Sequence, residues 1–129
     1  MIYGIGTDIV SFERINKLYE KYGAAFAKRV LSTSEFLEFL NYPYPARLLM
    51  KRFAAKEALA KAAGSGLRYP LTLQNISVTH DELGKPVFEF STELADHLTR
   101  LGITHQHLSI SDEREHAIAF VLLESRKDF

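Results

Sequence analysis

A few residues in this chain have types and spacings that could do chemistry. Glu57 and Lys61 stand four apart in an alanine-rich run, so a helix there places both on one face. They would be either an exposed ion pair or a carboxylate and an ammonium aimed at one ligand. Asp8 follows a glycine-spaced stretch, Gly4-Ile5-Gly6-Thr7, and is expected at the end of a first strand. A carboxylate there serves a metal or, equally well, a turn or the N-cap of the next helix. Gly84-Lys85-Pro86 would present a lysine on a tight turn, either holding a phosphate as a point charge or facing solvent. Ser109 and Ser111 alternate with Leu108 and Ile110 and should project from one strand face, where their hydroxyls could donate to phosphates.

Asp8 and Glu57, brought together, would make a hard, oxygen-rich site. Magnesium typically takes one or two protein carboxylates and completes its shell with waters and substrate phosphates. A lysine beside them would finish a diphosphate clamp. Lys51, Arg52 and Lys56 either add positive charge around that helix or form a solvated face. The histidines His80, His97, His105, His107 and His116 lack metal-ligand spacing and are expected at the surface or in packing.

The composition narrows the chemistry further. Cysteine is absent, which excludes disulfides, thiolate metal sites and thiol nucleophiles. No signal-peptide pattern or transmembrane run is present, so a cytoplasmic protein without a membrane partner is expected. The net charge of zero conceals a split: residues 1–68 hold 11 Lys/Arg against 6 Asp/Glu, and residues 69–129 hold 5 against 10. A basic face suited to an acidic partner or to phosphates is one consequence; scattered charges with no face is the other.

The elements that must position these residues can be read in order. A strand is expected over 2–7, then a helix over 12–22 capped by Ser11 and ended by Gly23. Phe26, Val30 and Leu31 suggest a short turn or helix, and Ser32-Thr33-Ser34-Glu35 a capping box opening a helix over 33–40. The longest helix is expected over 45–63, with Gly64-Ser65-Gly66 ending it. Strands over 75–79 and 87–90 flank a hairpin turn, and Ser91 caps a helix over 92–101. Strands over 107–111 and 116–124 flank the turn Asp112-Glu113-Arg114-Glu115. This order predicts one α+β domain over 1–129, with a largely antiparallel sheet packed on helices.

Four segments in this order resemble one family: GIGTDIVSFERI at 4–15, KRFAAKEALAKAAGSG at 51–66, DELGKPVFEF at 81–90 and LSISDEREHAIAFVLLE at 108–124. They are similar to the holo-acyl-carrier-protein synthases, the small single-domain 4′-phosphopantetheinyl transferases. The resemblance spans nearly the whole chain. It implies transfer of the phosphopantetheine arm of coenzyme A to a serine of apo acyl carrier protein, in support of fatty acid biosynthesis, with adenosine 3′,5′-bisphosphate as the other product. It implies Asp8 and Glu57 as Mg²⁺ ligands and catalytic residues, and Lys61 as a catalytic contact to the diphosphate. Gly64, Gly84, Lys85, Pro86, Ser109 and Ser111 join Lys61 as implied coenzyme A contacts. The serine's proton acceptor would be Glu57 through a water on the metal, or a water near Asp112, which stands where many members have histidine.

The partner it implies is acidic, and Arg14, Lys17, Lys21 and Arg29, with Lys28, would steer it. The resemblance also implies a homotrimer with sites between subunits, Asp8 facing the Glu57 helix of a neighbour. The alternative is a non-catalytic basic module that docks an acidic protein or nucleic acid. It would not need Asp8 or Glu57, and no basic strand face here carries the interleaved aromatics that single-stranded nucleic acid favours, so no nucleic-acid partner is expected. A third reading, a coenzyme A binder without activity, rests on Asp112 alone.

Overall fold

The structure, a computed structural model, describes residues 1–126. Its centre is the long helix α4 (Pro45–Ala63), opened by Pro45 in its first turn and closed by the left-handed Gly64. The elements before it are strand β1 (Ile2–Ser11) and helices α1 (Phe12–Tyr22), α2 (Ala24–Val30) and α3 (Thr33–Phe39). After it come β2 (Ile76–His80), β3 (Pro86–Phe90), α5 (Thr92–Arg100), β4 (Ile103–Asp112) and β5 (His116–Ser125). The α+β class and the antiparallel pairing are as expected: one sheet has the order β1-β5-β4 and the other is the β2-β3 hairpin. The three serine caps also form, since Ser11, Ser32 and Ser91 each accept a backbone N–H three residues on, and Ser32 and Glu35 close a full capping box.

Two strands are longer than expected. β1 runs on to Ser11, so Asp8 lies inside the strand, opposite Ala119, and not at its end. The glycines at 4 and 6 obscured this in the sequence, because glycine weakens the strand pattern. β4 begins at Ile103, and its register shift near the start hides the alternation.

The glycines explain how α4 meets the sheet. A Cβ on Gly4 would stand 1.9 Å from the Ala62 carbonyl oxygen, and one on Gly6 would stand 2.0 Å from that of Ala58. Both distances are impossible contacts, so only glycine lets β1 lie directly on the helix backbone. Across the same sheet face, Ala117, Ala119, Val121 and Leu123 of β5 are fully buried against the core. Gly6→Ala should therefore push α4 off β1 and destabilise the fold by roughly 2–4 kcal/mol, in the range of overpacked or strained core positions. Urea unfolding with a change below about 0.5 kcal/mol, the range of neutral surface changes, would refute this.

The opposite face of the three-stranded sheet is open. Register places Ile5, Leu122 and His107 in one row, Thr7, Phe120 and Ser109 in the next, and Ile9, Ile118 and Ser111 in the third. Ile5, Ile9, Ile118 and Phe120 are exposed there. No helix among the described residues is long and apolar enough to cross a membrane.

Candidate active site

Side chains alternate along β1, so Gly4, Gly6, Asp8 and Val10 all face α4. The two glycines bring the helix in; two residues further along, the space between strand and helix takes the Asp8 carboxylate. One turn apart on α4, Glu57 and Lys61 flank Ala58, the residue that packs on Gly6. The Lys61 ammonium donates to Asp8 Oδ1 at 2.9 Å and to the Thr7 carbonyl at 3.0 Å. The Asp8 side chain is 15 % exposed and that of Lys61 54 %. Lys61 is thus paired with Asp8, and the helix-surface ion pair with Glu57 is not what forms.

Glu57 is half-buried, and burial pushes its carboxyl above the ordinary range. The nearby Asp8 charge raises it further, while Lys61 and Arg14 pull it back. Two carboxylates that repel each other in a partly dry cleft suit a divalent cation. The described residues hold no cluster of three or more His, Cys, Asp or Glu that could enclose one. A two-carboxylate donor set fits magnesium, which keeps positions for water and phosphate oxygens. This convergence lies within one chain, so Asp8 needs no neighbour's helix: the expectation that it faces the Glu57 helix of another subunit is corrected by the β1–α4 contact.

The other expected contacts lie elsewhere. Gly64 ends α4 three residues after Lys61, beyond Ala62, the residue that packs on Gly4. Gly84, Lys85 and Pro86 lie at the β2–β3 turn, where Asp81 Oδ1 accepts the Leu83 and Lys85 amides and Gly84 takes φ 84°. Lys85, Pro86 and Ser109 line one cavity of about 430 Å³ with Phe120. Ser111 lines another, of about 370 Å³, with Ile9, Asp112 and His116. Ser109 and Ser111 are on the open sheet face, opposite to that of Asp8, and β4 is two strands from β1. The expected coenzyme A contacts therefore fall into two groups that one chain does not bring to a single point.

Four further residues differ from the sequence expectation or were not legible in it. Arg52 and Lys56 are buried and form no basic face. Lys56 donates to Glu35 Oε1 at 2.5 Å and to the carbonyls of Val30 and Leu73. Glu35 was legible only as a capping-box residue; it also accepts the Val78 amide and Arg52. Arg47 was not singled out. Its guanidinium donates to Asp112 Oδ2 and to the carbonyls of Glu113 and Arg114, and it stacks on Phe12. Asp112 is thus tied to Arg47 and clamps the β4–β5 turn to the start of α1 and α4.

With fold and site in view, the chain belongs to the 4′-phosphopantetheinyl transferase superfamily, whose family model matches residues 4–121, and within it to the holo-[acyl-carrier-protein] synthases. It is 57% identical over 124 residues to the holo-[acyl-carrier-protein] synthase of Nitrosospira multiformis, covering 96% of this chain and 99% of that one. The crystal structure of the synthase from Neisseria meningitidis superposes with a TM-score of 0.94 at 50% identity, covering 97% of this chain and 100% of that one. The synthase from Bacillus anthracis, solved in complex with CoA (3′,5′-ADP), gives a TM-score of 0.81 at 36% identity, with 98% and 99% covered.

Proposed function

We propose that the chain moves the 4′-phosphopantetheine group of coenzyme A onto a serine of apo acyl carrier protein, with Mg²⁺ held by Asp8 and Glu57. The observation that carries this reading is the meeting of Asp8, Glu57 and Lys61 between β1 and α4. In the reaction the serine oxygen forms a bond to the β-phosphorus of the diphosphate. The phosphoanhydride P–O bond breaks, adenosine 3′,5′-bisphosphate leaves, and the serine proton goes to a base. Bound between the two carboxylates, Mg²⁺ would neutralise the diphosphate and the charge that develops on the leaving phosphate. The Lys61 ammonium adds a second positive charge beside it. Glu57, acting through a water at the cluster, is the better placed proton acceptor, since Asp112 is engaged by Arg47. Fatty acid biosynthesis is the process such a carrier serves.

Support for the carrier's approach comes from α1. Arg14, Lys17 and Lys21 are exposed along it, Arg29 and Lys28 follow on α2, and the Arg14 charge reaches Glu57. The helix begins four residues after Asp8, so an acidic carrier docked on it has its serine delivered beside the cluster. Arg14→Glu should weaken carrier binding by about fivefold to tenfold at low salt, by less at high salt, and leave coenzyme A affinity nearly unchanged. Equal carrier affinity for both proteins would reject the docking model.

Assembly follows from the open sheet face. A homotrimer packed through Ile5, Ile9, Ile118 and Phe120 would cover that face and bring one chain's Lys85, Pro86, Ser109 and Ser111 toward another chain's Asp8 cluster. Sedimentation equilibrium giving only a 14.7 kDa species would remove this assembly. The whole reading is tested by intact mass. Purified protein with Mg²⁺ and coenzyme A should add one phosphopantetheine to apo carrier. Unmodified carrier, with an established transferase succeeding in parallel, would reject it. A purely binding module leaves the convergence of Asp8 and Glu57 without a purpose.

A further inference from the structure

We propose that Lys61 competes with the divalent cation for Asp8, so that one ammonium couples cation binding to diphosphate binding. The inference rests on the proposed metal role of Asp8 and goes beyond it. Lys61 Nζ is 2.9 Å from Asp8 Oδ1 and 3.0 Å from the Thr7 carbonyl oxygen. Those two contacts use two of its three donors. A cation on the Asp8 carboxylate would repel the ammonium beside it, and would displace it wherever both need Oδ1. The doubly charged ion is the stronger competitor for that oxygen, and the lysine is driven outward.

The exit is easy. The Lys61 side chain is 54 % exposed, whereas that of Asp8 is 15 % exposed. Its neighbours one turn back and one residue on, Ala58 and Ala62, are small. The displaced amine stays one turn from Glu57, within reach of phosphate oxygens at the cation. Before the cation arrives, Asp8 neutralises Lys61 and the site offers a diphosphate little charge. Afterwards it offers the cation and a released ammonium together. The order of binding that follows is cation first, or cation with diphosphate, and the two ligands strengthen each other.

Mn²⁺ titrated alone, with the free ion counted by electron paramagnetic resonance, tests this in the wild-type, Lys61→Met and Asp8→Asn proteins. Lys61→Met should bind Mn²⁺ about fivefold more tightly than wild type, the scale of losing a partly exposed ion pair. It should also show a smaller Mn²⁺-dependent gain in coenzyme A affinity. Mn²⁺ binding that Asp8→Asn abolishes but Lys61→Met leaves at wild-type strength would overturn the coupling while keeping Asp8 as ligand. Mn²⁺ binding insensitive to Asp8→Asn would overturn both the coupling and the metal role beneath it.

Discussion

Glu57→Gln should cut phosphopantetheine transfer by on the order of a hundredfold to a thousandfold, the usual effect of removing a charge-stabilising group from a reaction centre. It should also make the cation-free fold more stable near neutral pH. The two effects have one cause. Burial and the Asp8 charge hold the Glu57 carboxyl above its ordinary range. Well below the ordinary carboxylate range, folded and unfolded chains are both protonated at this position, and nothing is lost. As pH rises through the raised value, the folded chain must ionise a group it would keep neutral, and that part of its stability is lost. Gln never ionises, so its advantage appears above the raised value and fades in acid. Asp8→Asn should lower transfer as strongly, but with the opposite effect on the fold. It removes the partner of Lys61 and should lose up to about 1 kcal/mol, the scale of a partly exposed ion pair. Transfer assays beside thermal melts between acidic and neutral pH, in chelator, check both. Near-normal transfer in either variant would take that residue out of the site.

Lys56→Met should be the most damaging single change to the fold, at about 3–5 kcal/mol, the usual loss when one member of a buried ion pair is removed. Lys56 is 0 % exposed and Glu35 2 %. Burial pushes the Lys56 ammonium down to about 8, and the Glu35 carboxylate limits the fall. The ammonium spends its three donors on Glu35 and on carbonyls at the end of α2 and in the turn before β2. Glu35 in turn caps α3 and accepts the Val78 amide of β2. Without Lys56 the buried carboxylate keeps the Ser32 and Val78 amides, but among the described residues only Arg52, at 3.4 Å, remains as a countercharge. Adding Glu35→Gln to Lys56→Met should therefore recover part of the loss, because the stranded charge disappears. Urea unfolding of the single and double variants reads this directly. A double variant less stable than the single by the full effect of Glu35→Gln alone would show that the two side chains act independently.

The sequence by itself determined the element types and order, because each rests on local rules. Ser11, Ser32 and Ser91 meet their own helix amides within three residues, and the alanines of α4 favour helix wherever it packs. The motifs around Asp8, Glu57 and Lys61 also carried the family. Local rules could not say what lies across the chain from a residue. Arg52 and Lys56 looked like solvated charge, since burial depends on α3 and β2, which arrive from elsewhere in the sequence. Lys61 looked like the partner of Glu57 at helix spacing. The tertiary structure gave it to Asp8 instead, because Gly4 and Gly6 let β1 lie against the helix backbone. Ser109 and Ser111 were rightly placed on one strand face, but only the β1-β5-β4 register shows that this face is turned away from Asp8. Asp112 was a lone departure in the sequence; its meaning came from Arg47, which is 65 residues away along the chain and 3.1 Å away in space.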